Sequence, residues 1–224
     1  LDVQLKDVSN FDKFVVGDNR EAFEKICQTS IAGSPGVLFL WGAAGSGKTH
    51  LLQAACRAVR DTQCQPVYIP LANAQHLSPV MLVGISEAAF VCIDDVDAVA
   101  GEDNWERALF TLYEELRGQR PLIVTAKVNP RSLELNLPDL MTRFGSGLVY
   151  QLDSLSDKNK IRALQLRASQ RGFELADEVG RYILNRFPRD THALFSLLDR
   201  LDSESLVTQR RITIPFIQKM ETTR

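Results

Sequence analysis

No stretch of the 224 residues approaches the roughly 20 consecutive apolar residues that a membrane span requires. No charged-then-apolar leader stands at the start either. Cysteine is scarce. Cys27, Cys56, Cys64 and Cys92 lie far apart with no C-x-x-C pair, which argues against a disulfide framework or a thiolate metal site and fits a reducing cytoplasm. A basic excess is also missing: 26 Lys and Arg stand against 28 Asp and Glu, for a formal charge of -2. That balance argues against an obligate nucleic-acid binder, although local basic patches remain open. No internal repeat or low-complexity run is visible. What is present is 45% hydrophobic and 24% charged, enough for one large domain, or one large and one small, with a proper core. The chain opens on Leu1 rather than a methionine, so further residues are expected upstream.

The most informative stretch is GVLFLWGAAGSGKTHLLQAA, residues 36–55. Val37 to Trp41 form a continuous apolar run of the kind a buried parallel strand needs. Gly42 to Thr49 then read G-x-x-x-x-G-K-T, the P-loop signature. Gly42, Gly45 and Gly47 let the backbone curl so that successive N–H groups face inward and cradle phosphate oxygens. The helix that follows adds the positive end of its dipole. Lys48 is expected to reach the terminal phosphates, and the Thr49 hydroxyl to sit on a magnesium ion.

Residues 1–19 read as an extended entry, with Phe11, Phe14, Val15 and Val16 apolar and Gly17-Asp18-Asn19 as a turn in which Asn19 caps a helix over residues 20–30. Residues 66–70 form a second strand. Residues 71–86 read as a helix broken at Ser78-Pro79. A third strand over residues 89–93 runs into Asp94-Asp95. Carboxylates directly after a hydrophobic strand, downstream of a P-loop, make the second half of an NTPase site. Asp94 would hold magnesium through water, and Asp95 would polarise the attacking water. The same acids also suit a helix N-terminus. Asp103 or Asn104 is expected to cap a helix over residues 105–116, followed by strands over 121–125 and 147–152 with a helix over 137–144 between them. After Leu152 the texture becomes helical, with helices over residues 158–171, 177–187 and 191–206 and a last short one from Thr213. The expected fold is therefore α/β with a five-stranded parallel sheet over residues 1–153, followed by a small helical domain over 154–224.

This arrangement resembles the AAA+ superfamily, and three boxes narrow it to the DnaA family. FDKFVVGDN, residues 11–19, resembles the box whose backbone lines the adenine pocket. FVCIDDV, residues 90–96, resembles the Walker B box, and LPDLMTRFGSGLVYQL, residues 137–152, resembles the box that carries the arginine finger. The resemblance implies nucleotide-binding positions at Val15, Val16 and Asn19, at Gly42, Gly45, Ser46, Gly47, Lys48, Thr49 and His50 around the P-loop, and at His192 in the helical domain. It implies magnesium at Thr49 and Asp94, and places the finger at Arg143. For Arg143 the plain alternative is a pair with Asp139, four residues back on the same helix. For His50 and His192 it is packing.

Residues 162–175, RALQLRASQRGFEL, and 209–216, QRRITIPF, resemble the Hda family within this group, whose members lack the initiator's helix-turn-helix DNA-binding domain. That implies a regulator in the cytoplasm that stimulates ATP hydrolysis by the initiator DnaA while tethered to the DNA-loaded polymerase III sliding clamp. The family's clamp-binding peptide is expected upstream of Leu1, since Val3-Gln4-Leu5-Lys6 is a poor version of it. Two departures bear on chemistry. The position of a polar sensor residue is Lys127, with Asn129 nearby, and the position of a sensor arginine is His192. Neither replaces its counterpart's hydrogen bonding to a triphosphate. Intrinsic turnover is therefore expected to be weak or absent, with ADP held as a structural ligand. The competing readings are a self-sufficient ATPase, such as a helicase loader or DNA-remodelling factor, and a small P-loop kinase. Head-to-tail self-association is a further expectation.

Overall fold

The computed structural model describes residues 9–222, so the Val3–Lys6 peptide lies outside the described residues. The chain divides into two compact units, one ending at Ser154 and the other beginning at Leu155.

The first unit alternates strand and helix: α1 (Arg20–Ala32), β1 (Gly36–Trp41), α2 (Lys48–Asp61), β2 (Pro66–Pro70), β3 (Phe90–Asp94), α3 (Asp103–Leu116), β4 (Pro121–Ala126), α4 (Pro138–Gly145) and β5 (Leu148–Gln151). The five strands form one sheet in the order β2-β3-β4-β1-β5, and every pairing is parallel. Parallel strands need crossovers, and the crossovers cover both faces with helices, so the central strands read as unbroken apolar runs. The two-residue pleat sorts them. Phe39, Val91, Ile93, Leu122 and Val124 point to one core together with Leu109, Leu112 and Phe144 of α3 and α4. Leu38, Leu40, Phe90, Cys92 and Ile123 point to the other, with Ile26 of α1 and Leu51, Leu52 and Ala55 of α2.

Three local expectations give way to longer-range partners. Residues 71–86 form three separate 3-10 turns, Leu71–His76, Pro79–Leu82 and Ile85–Glu87, not a broken α-helix. Pro79 interrupts the ladder and Gly84 takes a left-handed φ of 81°, which L-residues with side chains avoid. Helix α3 starts at Asp103, with Glu102 at its cap position, so neither Asp103 nor Asn104 caps it. Asn19 occupies the cap position of α1 without a side-chain capping bond. Its buried amide instead clasps the backbone of Asp153, donating from Nδ2 to the carbonyl at 3.0 Å and accepting the N–H at Oδ1 at 2.8 Å.

The second unit is four helices, α5 (Asp157–Gln170), α6 (Asp177–Arg186), α7 (Thr191–Thr208) and α8 (Ile214–Thr222). Its own core gathers Leu164, Val179, Ile183, Leu194, Leu198 and Ile217 among others. Ser156 and Asp190 cap α5 and α7 by accepting from Asn159 N and Ala193 N. Among the described residues no helix is long and apolar enough to cross a membrane.

Candidate functional site

The P-loop follows β1 at the carboxyl end of the sheet, where open α/β sheets place their ligands. Gly42, Gly45 and Gly47 have φ of 158°, 76° and 100°, and α2 begins immediately afterwards at Lys48. Two of these glycines are fixed by close approach as well as by φ. A Cβ on Gly42 would run into the carbonyl oxygen of Leu152, and one on Gly47 would lie 2.6 Å from the Phe14 ring. Lys48 is buried, and its Nζ donates to the carbonyls of Gly42 at 2.7 Å and Ala43 at 3.0 Å. Burial pulls this ammonium below its ordinary pKa, while Asp95, Asp94 and Asp97 pull it the other way. Ser46 is buried with its Oγ unpaired, a costly state for a hydroxyl. Thr49 is exposed in the first turn of α2. A buried unpaired hydroxyl, an ammonium held only by backbone carbonyls and the start of a 14-residue helix fit a phosphate-sized anion.

At the end of β3, Asp94 is 2% exposed. Its Oδ1 accepts from the Thr125 hydroxyl at 2.5 Å and its Oδ2 from the Tyr68 hydroxyl at 2.7 Å. Thr125 Oγ1 in turn accepts the Asp95 N–H at 2.9 Å, so one hydroxyl on β4 fixes both acids. Tyr68 is held as a neutral donor because burial, then Asp94, push its phenol far above the ordinary range. The relay continues outward: Gln53 Nε2 reaches Tyr68 Oη at 3.5 Å, and Ser9 Oγ donates to Gln53 Oε1 at 2.9 Å. Thr125 and Tyr68 were not singled out by sequence reasoning. The available signal was a lone hydroxyl in each of two otherwise apolar strands, PLIVTA and PVYIP.

Asp95 takes the left-handed conformation, with φ 56° and ψ 52°. Burial first, then Asp94 and Asp97, raise its carboxyl above the ordinary value, against Lys48 and Lys127. The folded state therefore keeps a proton that the unfolded chain has lost, across the window between the ordinary carboxylate pKa and the raised one. Stability falls as pH rises through that window, and the loss is complete above it. Asp95→Asn is expected to melt higher than wild type at pH 7, because Asn tolerates the same backbone without the charge. The difference should vanish below the ordinary carboxylate range, and thermal melts in steps of pH check both halves.

Lys127 is latched to Asp97. Its N–H donates to Oδ1 at 3.0 Å, and its Nζ lies 3.3 Å from Oδ2. Asn129 is used as a cap, accepting the Arg131 N–H at 3.1 Å. The lead-in segment packs on the P-loop helix. His50 Nε2 lies 2.9 Å from the Asn10 carbonyl, and Phe14 stacks on Phe23 at 5.6 Å with its edge over Gly47. Val15 and Val16 beside it are half-buried. His192 lies in the first turn of α7, in the second unit.

Arg143 lies near the end of α4, and α3 organises its surroundings. The Glu106 carboxylate is 1% exposed and accepts three backbone N–H groups, from Gly101 at 2.7 Å, Asn136 at 3.1 Å and Leu137 at 2.7 Å. It thereby fixes the approach to α4. About two helical turns further along α3, Tyr113 and Glu114 meet Arg143 itself. The guanidinium carbon lies 5.8 Å from the Tyr113 ring centroid, and Nε lies 3.1 Å from Glu114 Oε1. Among the described residues Arg143 makes no pair with Asp139. Nor are three His, Cys, Asp or Glu side chains arranged to hold a metal by protein ligands alone.

A family model described as the Hda lid domain matches residues 157–220, and one for the bacterial DnaA ATPase domain matches residues 5–79. Domain III of the Thermotoga maritima replication initiation protein DnaA is 22% identical, with a TM-score of 0.82 over 96% of this chain and 95% of that one. AMPPCP-bound DnaA from Aquifex aeolicus is 24% identical, with a TM-score of 0.73 over 88% of this chain and 66% of that one, so this chain spans just under two thirds of that protein. A mutant of Thermotoga maritima RuvB is 19% identical, with a TM-score of 0.73 over 96% and 72% of the two chains. At these identities the solved structures speak to fold, and the two family models speak to ancestry at either end. The five-stranded parallel sheet thus has the fold of the DnaA and RuvB structures, and the chain is similar to a bacterial DnaA ATPase domain over residues 5–79 and to an Hda lid domain over residues 157–220.

Proposed function

We propose that this chain is a negative regulator of DNA replication initiation, binding a nucleotide itself and supplying Arg143 to ATP bound by the initiator DnaA. The observation that carries the reading is the joining of a DnaA-type ATPase module to an Hda-type lid in one chain. Nucleotide binding rests on the P-loop cradle, with Gly42, Gly45, Ser46, Gly47, Lys48 and Thr49 around the phosphates. Val15 and Val16 lie on the lead-in that packs against it. Magnesium, when bound, would be held by Thr49 and, through water, by Asp94, and would neutralise phosphate charge. Asn19 and His50 serve this pocket by holding its walls, through Asp153 and Asn10 respectively.

ADP is the nucleotide this reading favours. Lys127 at the sensor position is engaged by Asp97, which leaves it poorly placed to orient an attacking water. In the initiator's site, attack of water on the γ-phosphorus breaks the bond to the leaving ADP oxygen and spreads negative charge over the equatorial oxygens. A guanidinium from a neighbouring subunit stabilises that charge distribution more than it stabilises the bound ATP. The sliding clamp on DNA is the proposed platform, reached through residues upstream of Leu1.

The second reading, a self-sufficient ATPase, draws support from the complete set Lys48, Asp94 and Asp95. The deciding experiment measures ATP hydrolysis by the cognate initiator with clamp-loaded DNA, with and without the full-length protein, beside hydrolysis by the protein alone. Acceleration of the initiator with little turnover by the protein alone is expected. Turnover by the protein alone that Lys48→Ala abolishes, with no effect on the initiator, would sink the regulator reading.

A further inference from the structure

We infer that Glu114 is a positioning residue for Arg143, holding one edge of the guanidinium so that its two terminal nitrogens are presented to a phosphate on a partner. The inference rests on the reading of Arg143 as a group acting in trans and names what aims it. Arg143 is one-third exposed, at 32%, yet its Nε is fully buried. The two terminal nitrogens are not among the buried unpaired atoms, and they make no hydrogen bond among the described residues. Glu114 Oε1 faces Nε at 3.1 Å, but the N–H does not lie along the contact, so the hold is ionic and not a hydrogen bond.

The other faces of the guanidinium are also set. The Tyr113 ring lies beneath it at 5.8 Å, a cation–π distance. That ring is buried, and its hydroxyl lies 3.4 Å from Ser146 Oγ, which donates to the Arg143 carbonyl at 2.7 Å. Glu114 does not cancel the arginine outright. Its second oxygen, Oε2, faces Arg117 Nη1 at 3.6 Å, so one carboxylate stands between two guanidiniums and the local charge stays positive. A long side chain fixed at Nε and on one ring face loses most of its rotamers before a partner arrives. The part left unfixed is the fork that binds phosphate oxygens in pairs. The local alternative, Asp139 at i−4, would act from within the same short helix. Glu114 acts from α3, whose Glu106 also fixes the start of α4, so both ends of the finger helix are referred to one rigid element.

The test is the reconstituted initiator reaction with full-length protein, titrated as wild type, Glu114→Gln, Arg143→Ala and the double variant. Glu114→Gln keeps the shape and loses the charge. It is expected to lower the maximal stimulated rate about tenfold, as a misplaced group does, while the concentration giving half-maximal stimulation stays unchanged. In the Arg143→Ala background it should add nothing. Glu114 is 36% exposed, so the variant should melt with the wild type, and a thermal melt checks this. Loss with Arg143→Ala but wild-type stimulation with Glu114→Gln overturns this inference and leaves the finger intact. So does a change in half-maximal concentration alone. Wild-type stimulation by Arg143→Ala overturns the finger reading, and this inference falls with it.

Discussion

Arg143→Ala should reduce the stimulated hydrolysis of initiator-bound ATP by about 10³-fold or more, the range measured for fingers supplied in trans. Binding of the two proteins should hardly change. The size of the effect follows from where the charge appears. A cation that meets the γ-phosphate only as negative charge develops lowers the barrier without tightening the ground state. Loss of fold cannot imitate the result. The pair with Glu114 is about a third exposed on both sides and screened by solvent, so its removal costs on the order of 0.5 kcal/mol. Single-turnover hydrolysis by the initiator at saturating regulator, with a pull-down at the same concentrations, separates chemistry from association. Arg143→Lys should recover little, because an ammonium is a point charge without the fork. A variant that binds normally and stimulates like wild type would remove Arg143 from the mechanism.

Glu106→Ala should be the most damaging single change to the first unit that leaves the nucleotide site untouched. Its carboxylate satisfies three N–H groups from two separate stretches, Gly101 before α3 and Asn136-Leu137 before α4. Alanine would leave all three without their acceptor in a site that is 1% exposed. Each buried unpaired group costs about 1–3 kcal/mol before relaxation. Partial relaxation and entering water bring the expected total to about 3–5 kcal/mol. At ~2–4 °C per kcal/mol for a protein of this size, melting should fall by roughly 10 °C. Glu106→Gln keeps one acceptor oxygen and turns an amide against the Leu137 N–H, so it should fall between. Calorimetry on the three proteins checks the order. Nucleotide affinity measured well below the melt should be unaffected, since Lys48, Asp94 and Asp95 lie on other elements.

The parts of this molecule that local chemistry decides could be read from the chain. The apolar run before Gly42, the glycines, and Lys48-Thr49 opening a helix specify β1, the loop and α2 with no distant help. An apolar strand that ends in Asp94-Asp95 does the same for β3. What could not be read is the use of side chains whose partners lie far along the sequence. Asn19 looks like a helix cap because a cap is the partner within local reach. Its amide is taken by Asp153, 134 residues away. Arg143 has Asp139 one turn back but pairs with Glu114 on another helix. Glu106 sits in an amphipathic pattern like any surface acid, and only the approach of residues 136–137 buries it. Residues 71–86 misled for a different reason: with Pro79 and Gly84 inside the stretch and Asn73 off the helical conformation, short turns replace a helix wherever the backbone ladder cannot run.

The hydroxyl relay from Ser9 through Gln53 and Tyr68 to Asp94 also bears on how such a protein can change over generations. Each member is satisfied by the next, and Gln53, Tyr68 and Asp94 stand on α2, β2 and β3 respectively. Removing the Tyr68 hydroxyl strands Gln53 Nε2 and Asp94 Oδ2 in a dry interior, and replacing Tyr68 and Gln53 together by apolar residues of similar shape still strands Asp94 Oδ2, with the buried Ser9 hydroxyl at the other end. The residues behave as one heritable trait anchored on Asp94, and a homologue that carries Phe in place of Tyr68 should be found with another donor to that carboxylate.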